Sequence, residues 1–294
     1  MTSFSDQPQR AFGSGSLNRS SSSPRTLFNN VMNGVIFILG ALALLPLLLV
    51  LSYLLIKGFS SLSLDLFTEL PPAPLDKGGG FGNAILGTAI MVGIGTVITV
   101  PIGVAAAVYL TEFSKGQTAR WIRFATNVLS GVPSIIAGVV TYGILVAPFG
   151  GYSAIAGGVA LAILMLPIIV RTTDEALQLV SQDLRQAAIG VGATNYQTVL
   201  QIVLPAALPS ILTGITLSVA RAAGETAPLL FTALFSFYWA RSLTEPTASL
   251  AVLVYNFAIS FDQNQQSVGW AASLILVLLV LISSIIARLA TRSK

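Results

Sequence analysis

Six apolar runs, each close to the ~20 residues needed to cross a bilayer's hydrocarbon core, leave this chain few folds to choose from. They extend from about Asn33 to Ile56, Asn83 to Leu110, Ile122 to Ala147, Ser153 to Val170, Ala207 to Leu234 and Val268 to Ala287. Only 9% of the 294 residues are charged and 54% are hydrophobic. A water-soluble domain carries about a quarter charged residues, so the expected fold is an all-α membrane protein with six transmembrane helices over residues 28–294. Residues 1–27 are Ser-rich and poor in large apolar side chains, a composition that cannot bury enough surface to fold, and they read as a disordered tail. Pro46, Pro101, Pro133, Pro167 and Pro228 fall in or beside spans. Neighbouring helices must satisfy the carbonyls that they free, which points to a packed bundle.

The connecting segments carry an orientation. Arg10, Arg19, Arg25, Lys115, Arg120, Arg123, Arg171, Arg185, Arg288, Arg292 and Lys294 fall on the side of the N-terminus; only Lys57, Lys77 and Arg241 fall opposite. Eleven against three places both termini in the cytoplasm by the positive-inside rule. The same scatter of basic residues between apolar runs argues for topology rather than nucleic-acid binding. With no Cys and no His, disulfides, thiol or imidazole nucleophiles and the common zinc sets are excluded. No G-x-x-x-x-G-K-[ST] phosphate loop and no G-x-S-x-G elbow occurs, so an energy source must lie on a partner. No catalytic residue, metal ligand or cofactor is assigned.

Two outer segments stand apart. Residues 57–82 include LPPAPLDKGGGFGN, read as a flexible loop before the second span, with a glycine nest beside Lys77 as an alternative anion site. Residues 246–260 are apolar but too short to span, and lie at the outer interface or fold back into the bundle.

The cytoplasmic stretch 171–206 is longer and more amphipathic than the other loops. Asp174 to Ile189 reads as one helix, with Gly190 and Gly192 supplying a turn. Asn195 is the expected N-cap of a second helix. Tyr196, Val199, Leu200 and Val203 form a single stripe on it, and Pro205 closes it. Such a helix pair needs a groove for its stripe, on its own bundle or on a partner.

Arg221 and Glu225 sit inside the fifth run. Arg221 lies 14 residues past Ala207 (221 − 207), ~21 Å along a helix and so deep in the hydrocarbon. Each charge there costs about 2.5–3.5 kcal/mol on insertion scales, so the pair must face the bundle interior or a wet cavity. Gly224 loses the helical partner of its carbonyl because Pro228 has no N–H, and a kink is expected there. Either the pair is a structural tie between helices, or it marks a transport pathway.

QAAIGVGATNYQTVLQIVLP resembles the E-A-A-x3-G-x9-I-x-L-P loop of permease subunits of ATP-binding-cassette (ABC) importers. Gln186, Ala187, Ala188, Gly192, Ile202, Leu204 and Pro205 take the motif positions, with Gln186 where the family has Glu. ARAAGETAPLLFTA and GGGFGNAILGT are similar to the phosphate-importer branch of that family, the PstA type. The resemblance implies the type I ABC importer permease fold in a bacterial cytoplasmic (inner) membrane. It implies that the loop 171–206 docks on an ATPase, with Tyr196 and Val199 joining the motif residues in the contact. Arg221, Glu225, Gly224, Thr226 and Pro228 would then line or gate a phosphate path. Implied partners are a homologous second permease of the PstC type, two ATP-binding subunits on the cytoplasmic face and a periplasmic or extracellular phosphate-binding protein, all about a non-catalytic membrane subunit. The residue chemistry leaves two alternatives: an importer of another oxyanion (molybdate, sulfate or phosphonate), or a secondary transporter using the Arg221–Glu225 pair.

Overall fold

The structure, a computed structural model, describes residues 24–114 and 116–292. The expected tail through residue 23, with Arg10 and Arg19, lies outside the described residues, as do Lys115 and Lys294. The chain is organised as two units, residues 1–53 and residues 54–294. In the first, the described residues are the N-terminal part of α1 (Pro24–Ser60), apolar on all sides and starting four residues before the expected end of the tail.

The second unit holds everything after that. In order come a 3-10 turn (Asp65–Phe67), α2 (Gly82–Val108) with a π turn (Tyr109–Phe113), and α3 (Gln117–Ser130). There follow α4 (Ser134–Thr141), a π turn (Tyr142–Val146), α5 (Ala147–Phe149) and α6 (Ala154–Gln178). The chain continues through α7 (Gln182–Gly190), α8 (Asn195–Thr198), a π turn (Val199–Val203) and α9 (Leu204–Ala223). Last are α10 (Ala227–Thr232), α11 (Leu250–Ala258) and α12 (Gln263–Arg292). No strand occurs among the described residues.

Five described helices are long and apolar enough to cross a membrane: Pro24–Ser60, Gly82–Phe113, Ala154–Gln178, Asn195–Ala223 and Gln263–Ile286. The third expected span, Ile122 to Ala147, is not a continuous helix. Its two halves, Gln117–Ser130 and Ser134–Phe149, meet at 100°. Pro133 has no N–H to continue α3 and forces Val132 away from helical geometry, so α4 starts afresh. The fifth expected span is also shorter than read: α9 stops at Ala223 and α10 begins at Ala227.

Three buried clusters stack along the bundle of the second unit. Met91, Leu161, Met165, Ile169, Leu229 and Val252 form the middle one, where α2 and α6 cross. Glycines let these backbones approach: a Cβ on Gly158 would come within 2.6 Å of Ile94 Cβ. Toward the α7 end, Ala107, Leu177, Val203, Ala207 and Ile211 pack together. Toward the α11 end, Phe81, Leu250, Leu253, Phe257 and Ala271 do so. Segment 246–260 thus folds back into the bundle, since α11 buries Leu250, Ala251, Val252, Leu253 and Phe257.

The Pro/Gly stretch before α2 is pinned rather than free. Asp262 accepts from the Leu75 N–H at 2.6 Å and from the Asn264 N–H at 2.7 Å. Asn264 Nδ2 donates to the carbonyls of Asp76 and Gly78, and Gln265 Nε2 to that of Pro72. The backbone N–H of Leu75, with that of Asn264, holds the Asp262 carboxyl below the usual carboxylate range. The glycine nest is occupied from within the chain: Gly78 and Gly79 have φ of 77° and 82°, and the Gly79 N–H donates to Glu69 Oε2 at 3.0 Å.

Candidate transport pathway and docking face

The charged pair stands at a helix end. Gly224 caps α9 by donating its N–H to the Arg221 carbonyl at 3.1 Å, and Glu225 donates to that of Ala222. Thr226 then caps α10, accepting at its carbonyl from Leu229 and Leu230. Pro228 lies in the first turn of α10, where its missing N–H costs nothing and its fixed φ favours the helix. The expected kink is therefore a full break, with Pro228 starting a helix rather than bending one. Arg221 Nε lies 3.5 Å from Glu225 Oε1, the arginine side chain 62% exposed and the glutamate 16%. Glu225 is tucked against the bundle while Arg221 faces away from it. Of the two expected settings, bundle interior or wet cavity, the carboxylate takes the interior, while the guanidinium stands on the exposed face of this bundle.

The stretch 171–206 departs from its reading in three ways. Asp174 belongs to the end of α6, and a new helix begins at Gln182, where the Ser181 hydroxyl accepts from Leu184 N–H. Thr194, not Asn195, caps α8, in a reciprocal box with Gln197. Pro205 does not close the second helix. A π turn widens the backbone directly ahead of it, absorbing the clash that proline makes with the carbonyl four residues back, and the helix continues unbroken from Asn195 to Ala223.

The expected stripe also divides. Val199 and Val203 are 4% and 0% exposed, and Val203 packs with Ala107, Leu177 and Ile211. Tyr196 and Leu200 are 66% and 42% exposed. Among the motif positions, Ala188 is buried, Ile202 and Leu204 are half-buried, and Gln186, Ala187, Gly192 and Pro205 are exposed. With Leu184, Ile189 and Val191, all exposed, Tyr196 makes an apolar surface on the two-helix tip. Gly192 takes φ of 92° in the turn between the helices, a conformation that favours glycine.

Sequence reading missed two polar ties beneath this tip, one partly exposed at Arg123 and one buried at Arg185. Arg123 Nε and Nη2 each donate to Asp174 at 3.0 Å, joined by the Thr111 hydroxyl at 2.7 Å. Arg185 Nη2 donates to Glu112 Oε1 at 2.9 Å. With only 11 acidic residues in the chain, pairing with the basic residues is expected in general, but the sequence does not name the partners. No group of three or more metal-ligating acidic side chains is found among the described residues.

The described residues thus form a helical bundle with broken spans, a capped two-helix tip and a charged pair at a helix end. Its fold is that of ABC importer permeases. A chain of the MetNI methionine ABC transporter in inward-facing conformations superposes with TM-score 0.61, over 71% of this chain and 94% of that one, at 22% identity. A chain of a bacterial alginate ABC transporter in complex with a pentasaccharide-bound periplasmic protein gives 0.65, over 90% and 94%, at 14% identity.

Residues 99–294 match the family described as binding-protein-dependent transport system inner membrane component. The phosphate transport system permease protein PstA of Haemophilus influenzae is 41% identical over 92% of this chain and 96% of its own length. That of Yersinia pestis is 43% identical over 81% of each, and PstA 1 of Mycobacterium tuberculosis 33% over 92% of each. The chain belongs to this family of inner-membrane transport components, in its PstA branch.

Proposed function

We propose that the chain is the permease subunit of an ATP-driven importer of inorganic phosphate, with both termini in the cytoplasm. It forms half of a translocation pathway with a homologous permease of the PstC type and performs no chemistry itself. Two ATP-binding subunits lie on the cytoplasmic face, where the α7–α8 tip docks on the ATPase, and an outer phosphate-binding protein delivers the anion to the opposite end.

The observation that carries this reading is the outward-facing guanidinium of Arg221, 62% exposed and tethered at 3.5 Å by the mostly buried Glu225. A charge at this depth cannot face lipid without a cost of about 2.5–3.5 kcal/mol. A water-filled path shared with a second permease removes that cost. A guanidinium offers phosphate oxygens a fork of donors. Glu225 competes for the same donors, so the anion is released rather than trapped.

Phosphate uptake in assembled complexes tests the reading. Arg221→Lys and Glu225→Gln are expected to lower uptake at least tenfold while the complex still assembles. Full uptake by both variants would refute it, and uptake of molybdate or sulfate with equal efficiency would move the cargo to another oxyanion.

A further inference from the structure

Consecutive residues of the π turn that ends α2 hold two different neighbours. Glu112 accepts from Arg185 of α7 at 2.9 Å, both side chains 11% exposed. Thr111 donates to Asp174 of α6 at 2.7 Å, and Arg123 of α3 grips the same carboxylate through two nitrogens. Adjacent helical residues point ~100° apart, so a single turn reaches α7 on one side and α3 with α6 on the other.

Arg185 does more than pair with Glu112. It donates to the carbonyl of Leu177 at 2.8 Å, which also takes the Val180 N–H, and to that of Val180, two carbonyls at the buried end of α6. A single guanidinium thus fastens α7 to the ends of both α2 and α6. The joint is desolvated, so water cannot readily substitute for either partner when the helices shift. The path continues beyond it. Between the π turn and α3 lie only residues 114–116, with Gly116 at φ 93°. After α3 the chain turns into α4, where Gly138 lies against Pro228 of α10, three residues past Glu225.

We propose that the π turn Tyr109–Phe113 is a relay between the docked tip and the pathway. Arg185 passes displacement of α7 to Glu112, and Thr111 passes it to Asp174 and Arg123, so that α3 and α4 move with the tip. This rests on the docking reading above. Thr111, Glu112 and Arg185 are positioning residues, and none of them touches the transported anion.

The test uses the complete complex in proteoliposomes with its ATPase and binding protein, and reads phosphate taken up per ATP hydrolysed. Thr111→Val removes one hydroxyl at nearly constant volume, and Glu112→Gln removes one charge. Each is expected to lower the ratio about threefold or more while the ATPase still co-purifies. The double variant should fall no further, because a broken relay cannot be broken twice. Wild-type ratios in both single variants, or losses that multiply in the double, would overturn the relay. So would failure of Thr111→Val to assemble, since the contact would then serve assembly. Should Glu112→Gln not assemble, Glu112→Asp takes its place in the cycle under the same criteria. Failure of the docking reading is separately visible: the ATPase would stay bound when Val191→Asp is placed on the tip.

Discussion

Gly138 and Pro228 bring the two broken helices of this protein into direct contact. A Cβ on Gly138 would lie 2.7 Å from Pro228 Cα and 3.0 Å from its carbonyl oxygen. One residue belongs to α4, just after the break at Pro133; the other opens α10, just after the break at Gly224. A backbone-to-backbone approach this close leaves no room for a methyl group.

Gly138→Ala is therefore expected to destabilise the purified complex by about 1–3 kcal/mol, the usual range for overpacking. Gly93→Ala is the control, since nothing lies within 4 Å of its Cβ position and helix propensity alone favours Ala by ~1 kcal/mol. Thermal unfolding should separate the two, with Gly138→Ala lower and Gly93→Ala unchanged or higher.

The tip makes a distinction that the residue pattern hides. Tyr196→Ala should weaken ATPase binding by ~30-fold, about 2 kcal/mol for an aromatic anchor, while the permease remains folded. Val199→Asp should instead reduce the yield of folded permease, because Val199 is 4% exposed in the bundle's own core. Pull-down of the ATPase from equal amounts of folded permease checks both.

Gly192 is a backbone requirement and not a packing one. It has φ of 92° and open space around its Cβ position. Gly192→Ala and Gly192→Val should each cost about 1–3 kcal/mol from strain alone, with Val the worse, and Gly192→Asn should cost least. A ranking by side-chain volume, with Asn no better than Val, would show that size matters there and strain does not.

The outer clamp should respond to acid. Asp262 is held below the usual carboxylate range by the Leu75 and Asn264 N–H groups, so its contribution is fully present above the unfolded value of ~3.9. That contribution is lost as pH falls through the lower folded value. Hydrogen exchange in residues 71–80 should stay slow at pH 5–7 and rise only in stronger acid, whereas Asp262→Ala should exchange rapidly at every pH.

The sequence makes the membrane class and most span positions legible because hydrophobic run length and charge placement are local quantities. Three things escape it. The break at Pro133 needs the 100° turn of the chain to be seen, and a proline in an apolar run signals a kink and a break alike. The division of Tyr196 and Leu200 from Val199 and Val203 depends on which neighbour each face meets, a tertiary matter invisible to periodicity. The role of Pro205 inverts because a π turn accommodates its ring, and backbone widening leaves no mark in composition. The ties of Arg185 to Glu112 and Arg123 to Asp174 join residues 73 and 51 apart, beyond any local pattern.

The unbroken helix from Asn195 to Ala223 has a mechanical consequence. Tyr196 on the tip and Arg221 of the charged pair are 25 positions apart (221 − 196), ~38 Å at the usual rise per residue. A stiff rod of that length tilted by ~10° about its middle carries its two ends ~3 Å in opposite directions. That travel matches the 3.5 Å between Arg221 and Glu225. A modest rocking of the tip is enough to part the guanidinium from its tether, because the π turn Val199–Val203 lies beside the tip and the helix runs on from there to Ala223.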